Sequence, residues 1–237
     1  MTISVVVPAY NEEKYIGACL QSLLENAPNA FLEIIVVDNA STDGTARVAK
    51  QFPGVRVVPE PKKGLTQARQ RGLLEAQGTH IAYLDADTRL SPSWLRTVRK
   101  NFAANPNLVA LSGPYDYDDL PVWQRTLVLA YWQFLAMPAS WITGYVLVGG
   151  NFIARKDSLR EIGGFDTTIA FYGEDTNIAR RLHAIGKIRF DRKFLIFTSG
   201  RRIVKEGLLK TAWTYVLNYL SEVILKKPVT GTYTDIR

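Results

Sequence analysis

Cysteine is almost absent from this chain of 237 residues, which contains only Cys19. A single cysteine excludes an intrachain disulfide, and no cysteines and histidines have the spacing of a zinc site. The first apolar run has no basic segment before it and no small-residue cleavage site after it, so a secretory signal peptide is not expected. These absences favour a reducing, cytoplasmic location.

Two common nucleotide-binding fingerprints are also missing. No G-x-G-x-x-G pattern follows the first predicted strand, and no G-x-x-x-x-G-K-[ST] pattern occurs in the chain. A Rossmann dehydrogenase and a P-loop NTPase are therefore disfavoured. The sequence also lacks a recognised nucleic-acid-binding module and interleaved basic and aromatic residues, so we expect no nucleic-acid partner.

An uninterrupted apolar run that could span a membrane is missing, although residues 126–154 contain no charged side chain. Gln133, Pro138 and three glycines interrupt this segment. A spanning helix needs about 20 mostly apolar residues. We therefore expect a buried or membrane-facing helix here, followed by a strand at residues 146–148.

Positive charge is concentrated near the C-terminal end. The formal net charge is +7, and residues 189–237 carry ten lysines and arginines against four aspartates and glutamates. Residues 203–226 predict one long helix with an apolar stripe and basic ends. Such a helix either packs on the domain or makes peripheral contact with an anionic membrane.

Short β-branched runs alternate with helical patterns through the first 90 residues. Strands are predicted at residues 3–7, 33–37, 55–58 and 80–84, and helices begin near residues 16, 44 and 65. This alternation indicates an α/β fold with a mostly parallel sheet flanked by helices. In such sheets, ligands bind beyond the carboxyl ends of the strands.

The fourth predicted strand ends in Asp85-Ala86-Asp87. Residues two apart in an extended chain lie on one side of it, so the two carboxylates make a hard anionic site. Mg²⁺ and Mn²⁺ favour such oxygen ligands, particularly when phosphates supply the others. A solvated turn is the alternative, because aspartate is common in loops.

Five segments together resemble glycosyltransferase family 2, both in their residues and in their order. They are residues 5–13 (VVVPAYNEE), 36–45 (VVDNASTDGT), 84–87 (LDAD), 163–166 (GGFD) and 174–175 (ED). The resemblance covers about residues 2–185. It implies a GT-A fold, a nucleotide-diphospho-sugar donor, a divalent metal, and transfer with inversion to a hydroxyl acceptor. The Gln-x-x-Arg-Trp signature of processive synthases is absent, so we expect one transfer per encounter.

The resemblance assigns the nucleotide to the first two strand ends. It implies donor contacts for Pro8, Tyr10 and Glu12, and for Asp38 after the second strand. An aromatic ring can pack on a base or ribose, and a carboxylate can accept hydrogen bonds from either. A helix cap at residues 10–12 and an ordinary turn after the second strand are the structural alternatives.

The resemblance also gives roles within Asp85-Ala86-Asp87. It implies that Asp87 and Asp85 hold Mg²⁺ or Mn²⁺, with Asp87 as the direct ligand and Asp85 facing the sugar or ribose. Arg69 is a further donor-side candidate, although Gln70 stands where the family often has asparagine. An exposed helical arginine is the alternative for Arg69.

Asp175 matches the family's base, which takes the proton of the acceptor hydroxyl. The resemblance places Glu174 and Asn151 on the acceptor side. Arg201 and Arg202 follow the last predicted strand and would reach the diphosphate or an anionic acceptor. The alternatives are acids that stabilise the first turn of a helix, and a solvated basic surface.

We expect a GT-A catalytic domain over residues 1–200, with a donor half at 1–90 and an acceptor half at 91–200. A basic helical extension at residues 201–237 would pack on it. The acceptor stays open between a lipid-linked molecule at the cytoplasmic membrane face and a soluble one. Two other functions also stay open: sugar-nucleotide synthesis, which usually has a glycine-rich loop and a downstream lysine after the first strand, and a catalytically inactive nucleotide-sugar-binding module.

Overall fold

A computed structural model describes residues 1–227 and 229–230 of the chain. The strands are β1 (Ile3–Ala9), β2 (Glu33–Asp38), β3 (Val55–Pro59), β4 (His80–Leu84), β5 (Thr88–Leu90), β6 (Leu108–Ser112), β7 (Tyr115–Asp116), β8 (Asn151–Arg155), β9 (Lys187–Phe190) and β10 (Ile196–Thr198). The helices are α1 (Ile16–Asn26), α2 (Thr45–Ala49), α3 (Leu65–Glu75), α4 (Trp94–Ala104), α5 (Val122–Tyr131), α6 (Met137–Thr143), α7 (Lys156–Glu161), α8 (Glu174–His183), α9 (Arg201–Glu206) and α10 (Leu208–Leu225). A π-helical turn, Trp132–Ala136, joins α5 to α6.

The main sheet has seven strands in the order β3-β2-β1-β4-β8-β6-β9. Only β8 runs antiparallel to its neighbours, and the remaining pairs in this sheet are parallel. The predicted α/β fold with a mostly parallel sheet is therefore confirmed. A second sheet of three strands has the order β5-β10-β7.

The main sheet is buried on both faces, because successive side chains of a strand point to opposite sides. Val5 of β1 belongs to a cluster with Trp94 of α4, whereas Val6 belongs to a second cluster with Leu182 of α8. All four side chains are fully buried. Burying one such aliphatic side chain contributes about 1.5–3 kcal/mol. This double burial explains why the central strands read as continuous apolar runs.

The prediction of one long helix over residues 203–226 is wrong. The chain breaks at Gly207, whose φ of +87° is readily adopted by glycine, and this residue separates α9 from α10. The predicted extension also included residue 228 and residues 231–237, which lie outside the described residues.

One other local prediction is wrong. Residues 146–148 form no strand, although they are buried, and β8 begins only at Asn151. Helix α4 begins at Trp94, and Ser93 precedes it without a side-chain capping bond. The short strand β7 pairs with β10 in the second sheet.

The apolar segment after residue 126 is helical through α5, the π-helical turn and α6, as predicted. Within the described part of the chain, no helix combines the length and apolar character that crossing a bilayer would require.

Candidate active site

The carboxyl ends of β1, β2 and β4 lie side by side, because these strands are neighbours in the parallel part of the sheet. Pro8, near the end of β1, pairs with Val37 of β2. Asp38 is the last residue of β2, and Asp85 follows β4 directly. The fold thus brings the predicted donor-side segments to one edge of the sheet.

The loops after β1 and β2 are joined by several hydrogen bonds, including the following three. The backbone N–H of Asn11 donates to Ser41 Oγ at 3.1 Å, and Asn11 Oδ1 accepts from the backbone N–H of Thr42 at 2.8 Å. The backbone N–H of Glu12 donates to Thr45 Oγ1 at 2.7 Å. These bonds hold the two loops in one fixed arrangement, which we name the loop frame. The predicted donor side is therefore ordered before any ligand binds.

Tyr10 and Asp38 lie on this frame with partly exposed side chains. Lys63 Nζ lies 3.9 Å from the centroid of the Tyr10 ring, which is a cation–π contact. Asp38 Oδ1 accepts a hydrogen bond from the backbone N–H of Ser41 at 3.3 Å. An aromatic face and a carboxylate therefore stand at neighbouring strand ends.

Asp85 is held by two side chains from distant parts of the sequence. Its Oδ1 lies 3.1 Å from Arg69 Nη2, and its Oδ2 accepts from the hydroxyl of Tyr115 at 3.2 Å. Ala86 is buried beneath the turn. These contacts fix the orientation of the first carboxylate in the pair.

Asp87 contacts a different arginine. Its Oδ2 lies 3.0 Å from Arg201 Nη2. Arg201 also donates two hydrogen bonds to the carboxylate of the buried Glu12, at 2.6 and 2.9 Å. Three sequence-predicted site residues from distant segments thus form one ion-paired group.

Arg69 is the centre of a second group. Its side chain is almost fully buried and contacts the carboxylates of both Asp85 and Glu174. Glu174 begins α8, and its Oε2 is buried without a hydrogen-bond partner. Burial raises the pKa of Glu174 to about 7; the charge of Arg69 opposes this shift, and that of Asp175 adds to it. The alternative interpretation of Arg69, an exposed arginine on a helix, is therefore wrong.

Asp175 lies beside Glu174 in the first turn of α8. Its Oδ1 accepts a hydrogen bond from the backbone N–H of Thr176 at 2.8 Å. Burial raises the pKa of the Asp175 carboxyl above its ordinary value. Burial also raises the pKa of Tyr131 to about 12, and the charge of Asp175 adds to that shift. A carboxyl with a raised pKa is a better proton acceptor than an ordinary aspartate.

Two glycines let the chain pass close to the carboxylates of Glu174 and Asp85. A Cβ on Gly149 would collide with the side chains of Glu174 and Arg69. A Cβ on Gly150 would collide with the Asp85 carboxylate and the Tyr115 hydroxyl. The backbone N–H of Gly150 donates to Tyr115 Oη at 2.9 Å, which holds the loop in place.

Asn151 follows these glycines but is fully buried. Its Nδ2 donates to the carbonyl oxygens of Gly113, Pro114 and Phe194, and its Oδ1 accepts from Trp94 Nε1. The Asn151 side chain therefore does not reach the surface, as direct contact with an acceptor would require.

Arg202 contacts two aromatic residues and an acid of its own helix. Its Nη1 donates to the hydroxyl of Tyr172 at 3.3 Å and lies 3.2 Å from Glu206 Oε1. Its guanidinium also lies over the ring of Phe171, with 5.1 Å between the guanidinium carbon and the ring centroid.

Sequence reasoning missed Tyr115 and Tyr131 as residues of the site. Tyr115 lies on the short strand β7, and Tyr131 lies in the uncharged segment at residues 126–154. A π-helical turn follows Tyr131 directly, and such turns are frequent at functional sites. No pattern in the sequence marks either tyrosine, because their proximity to Asp85 and Asp175 arises from the fold.

Among the described residues, no three or more His, Cys, Asp and Glu side chains are grouped so as to hold a metal by themselves. Asp85 and Asp87 provide hard carboxylate oxygens, which suit Mg²⁺ or Mn²⁺. The Asp87 carboxylate already attracts a cationic group, Arg201. The residues present therefore fit a divalent ion bound together with a ligand that carries phosphate.

A mostly parallel sheet with an Asp-x-Asp turn after its fourth strand and a Glu-Asp pair near that turn defines the class of the protein as a GT-A fold. The model of the family described as Glycosyl transferase family 2 matches residues 4–163. The chain belongs to this family.

Two relatives illustrate the match. The chain is 28% identical over 181 residues to Glycosyltransferase AglE of Haloferax volcanii, covering 73% of this chain and 58% of that protein. It is 36% identical over 186 residues to the uncharacterized protein MT1568 of Mycobacterium tuberculosis, covering 70% of this chain and 57% of that protein. The chain thus spans just over half the length of these relatives.

Solved structures share the fold. Mannosyltransferase PcManGT from Pyrobaculum calidifontis, in complex with GDP-Man and Mn²⁺, matches with a TM-score of 0.71 and 24% identity over 94% of this chain and 63% of that one. Glucosyl-3-phosphoglycerate synthase from Mycobacterium tuberculosis, with Mn²⁺, UDP and glucosyl-3-phosphoglycerate, matches with a TM-score of 0.68 and 21% identity over 97% of this chain and 82% of that one. At these identities the likeness establishes the fold alone.

Proposed function

We propose that this protein is an inverting glycosyltransferase that moves one hexose from a nucleotide-diphospho-sugar to an acceptor hydroxyl, with Mg²⁺ or Mn²⁺ as cofactor. One observation carries the proposal. The guanidinium of Arg69 contacts Asp85 on the donor side and Glu174, the residue before Asp175, on the other. The candidate metal-binding turn and the candidate base therefore lie on either side of Arg69. A single displacement requires such closeness, because the donor and the acceptor must react while both are bound.

On the donor side, Tyr10 and Asp38 would contact the base or ribose from the ordered loop frame. Pro8 and Ala86 would shape the backbone beneath them. Asp87 would be the direct metal ligand, and Asp85 would face the sugar or ribose. When bound, the divalent ion would neutralise negative charge on the diphosphate leaving group. The neighbours solved with GDP-Man or UDP and Mn²⁺ support this class of donor.

Arg201 would leave Asp87 when the donor and metal bind, and would then pair with the diphosphate. Arginine suits this task because its planar fork matches phosphate oxygens. The two acids that it contacts, Glu12 and Asp87, belong to the loops after β1 and β4, which supports a place for Arg201 on the donor side.

In the chemical step, the acceptor oxygen forms a bond to the anomeric carbon while the bond from that carbon to the diphosphate oxygen breaks. The leaving nucleoside diphosphate takes the electron pair of the broken bond. Asp175 takes the acceptor proton, and its raised pKa supports this role. Attack from the face opposite the diphosphate inverts the anomeric configuration.

The acceptor would bind on the side of Asp175, between Glu174 and the residues around Arg202. We favour a lipid-linked acceptor at the cytoplasmic face of a membrane, because α5 carries Tyr131, whose pKa the charge of Asp175 helps to raise, and also exposes apolar side chains. Asn151 would contribute by holding the Gly149-Gly150 loop and not by contacting the acceptor, since its side chain bonds only to protein groups.

The proposal is tested by screening UDP-, GDP- and other sugar nucleotides for thermal stabilisation with Mn²⁺, with Mg²⁺ and with EDTA. We expect at least one sugar nucleotide to raise the melting temperature only when metal is present. That donor should then be hydrolysed slowly in the absence of an acceptor. Stabilisation by none of them would overturn the proposal, and stabilisation without hydrolysis would indicate a binding module instead.

A further inference from the structure

Helix α10 is amphipathic in the reverse sense. Its buried side chains are polar: Thr211, Asn218, Ser221 and Glu222. Its exposed side chains are largely apolar, with Leu209 at 85%, Trp213 at 65% and Ile224 at 71% exposure. A helix of a soluble domain normally turns its apolar stripe toward the core. This orientation therefore requires a second apolar phase or partner outside the domain.

The orientation of α10 is fixed by bonds from its polar face. Glu222 is fully buried, and its Oε1 accepts from Asn177 Nδ2 at 2.9 Å and from Arg180 Nη2 at 3.2 Å. Both partners lie on α8, the helix that begins with Glu174 and Asp175. Rotating α10 to bury its apolar stripe would break these bonds and leave Asn177, which is buried, without its Glu222 partner.

The apolar segment from α5 to α6 lies beside α10. Val128 of α5 and Ile203 of α9 share an apolar cluster, against which Leu208 of α10 packs. Further along, Thr143 Oγ1 of α6 lies 2.9 Å from the hydroxyl of Tyr219 on α10. The α5–α6 segment also exposes large apolar side chains, with Phe134 and Trp141 each at 73% and Ile142 at 85%. The two helical segments thus form one layer, which we name the helical face.

The exposed charges in and directly after α9 and α10 are positive within the described residues. Lys205, Lys210, Lys226 and Lys227 are exposed. Of the two acids on these helices, Glu222 is buried and Glu206 pairs with Arg202. On α5, Arg125 pairs with Asp116, and residues 126–154 add apolar area without any charge. Exposed apolar side chains with lysines beside them are complementary to the headgroup region of an anionic bilayer.

We propose that the helical face of α5–α6 and α10 binds the interface of an anionic bilayer, with its apolar side chains inserted among the headgroups and its lysines on the lipid phosphates. A second copy of the chain is a poorer occupant, because a two-fold contact would set the lysines of one copy against those of the other. The proposal does not depend on sugar transfer. It does place Asp175 near a membrane, since α10 is anchored to the helix that carries this residue.

Vesicle sedimentation of the full chain, without nucleotide or metal, tests the proposal. Vesicles of phosphatidylcholine with and without phosphatidylglycerol are compared at low and high salt. We expect binding to the phosphatidylglycerol vesicles, weakened by salt, together with a blue shift of tryptophan fluorescence. A variant with Leu209→Gln, Trp213→Gln and Ile224→Gln should lose about tenfold in vesicle affinity. Replacing the four lysines with glutamine should weaken binding by a similar factor and remove its salt dependence.

The matched control is Leu74→Gln, which changes an exposed apolar residue on α3, outside the helical face. It should bind as the unchanged protein does. Circular dichroism and thermal melting verify that all variants are folded. Failure of the unchanged protein to bind anionic vesicles would overturn the proposal. Unaltered binding by the triple glutamine variant would do the same, as would a dimer in light scattering that the triple variant converts to a monomer.

Discussion

Arg201 Nη2 lies 3.0 Å from Asp87 Oδ2, so an arginine of α9 contacts the carboxylate that we propose as the metal ligand. The same guanidinium is hydrogen-bonded to the buried carboxylate of Glu12. One cationic side chain therefore compensates two acids of the donor side. A metal at Asp87 would compete with Arg201 for the charge of this carboxylate, and a diphosphate would offer Arg201 a new anionic partner, so we expect the contact to be exchanged.

Removing the charge of Arg201 should strengthen the binding of metal alone. In Arg201→Gln, the guanidinium of residue 201 no longer competes for Asp87, so we expect Mn²⁺ affinity without nucleotide to rise by about tenfold, roughly 1.4 kcal/mol. Sugar transfer should fall, because the diphosphate loses a cationic partner. Calorimetric titration with Mn²⁺ measures the first effect. The exposed Arg99→Gln on α4 is the control, and equal Mn²⁺ affinity in Arg201→Gln and the unchanged protein would contradict the exchange.

Asp175→Asn should abolish transfer and leave donor binding nearly intact. Asparagine has a similar shape and can still accept the backbone bond from Thr176, but it cannot take a proton. General-base catalysis contributes about 10²–10⁴-fold to rate, so kcat should fall by that factor. Initial rates with the stabilising donor and a responsive acceptor give kcat, and metal-dependent thermal shifts report donor binding.

The control for this change is Asp157→Asn, which alters an exposed carboxylate of α7. It should leave both kcat and the donor-induced thermal shift unchanged. Full activity in Asp175→Asn would assign the base to another residue. Loss of the thermal shift in Asp175→Asn would show that the carboxylate is needed for binding.

The order of strands and helices was predictable, because the local spacing of apolar and polar residues indicates each of them. The run before Asp85 is apolar at residues 81–84 since β4 is buried on both faces, and the strand end places the two aspartates at the ligand-binding edge. The same reasoning predicts that Tyr10 and Asp38 fall at strand ends. Three of the five segments matched by the family resemblance, residues 5–13, 36–45 and 84–87, carry both a strand end and the polar loop after it.

The connections across the site were not predictable, because they join residues far apart in the sequence. Arg69 lies on α3, and only the fold brings its buried guanidinium to Glu174 of α8. The reversed orientation of α10 was equally hidden. Its apolar stripe is plain in the sequence, but the bond between Glu222 and Asn177 determines which side faces the domain. The helix predicted over residues 203–226 includes Gly207, and the positive φ of this glycine, which breaks the helix, has no local signal in the pattern.

Gly150→Ala should destabilise the protein and disturb the donor side. A methyl group at this position would overlap the Asp85 carboxylate and the Tyr115 hydroxyl, so one of them must move. Overpacking of this kind costs about 1–3 kcal/mol. We expect a lower melting temperature and a weaker metal-dependent shift with the donor. In the control Gly17→Ala, the added methyl group would meet only Val48 and Phe52 at ordinary contact distance, so stability should hold or rise. Equal melting of Gly150→Ala and the unchanged protein would contradict the close approach.

The buried Glu174 should make stability depend on pH. Burial raises its pKa from 4.5 to about 7. Between these values the folded protein retains a proton that the unfolded chain has lost, so the free energy of unfolding falls as pH rises from about 4.5 to 7 and levels off above that range. The loss attributable to this carboxyl is up to about 3 kcal/mol. Glu174→Gln cannot titrate and should lack this part of the pH dependence, whereas Glu161→Gln, at an exposed position of α7, should retain it. Urea unfolding at pH 5 and pH 7.5 measures the difference, and identical pH dependence in the unchanged protein and Glu174→Gln would mean that the carboxyl is ionised throughout this range.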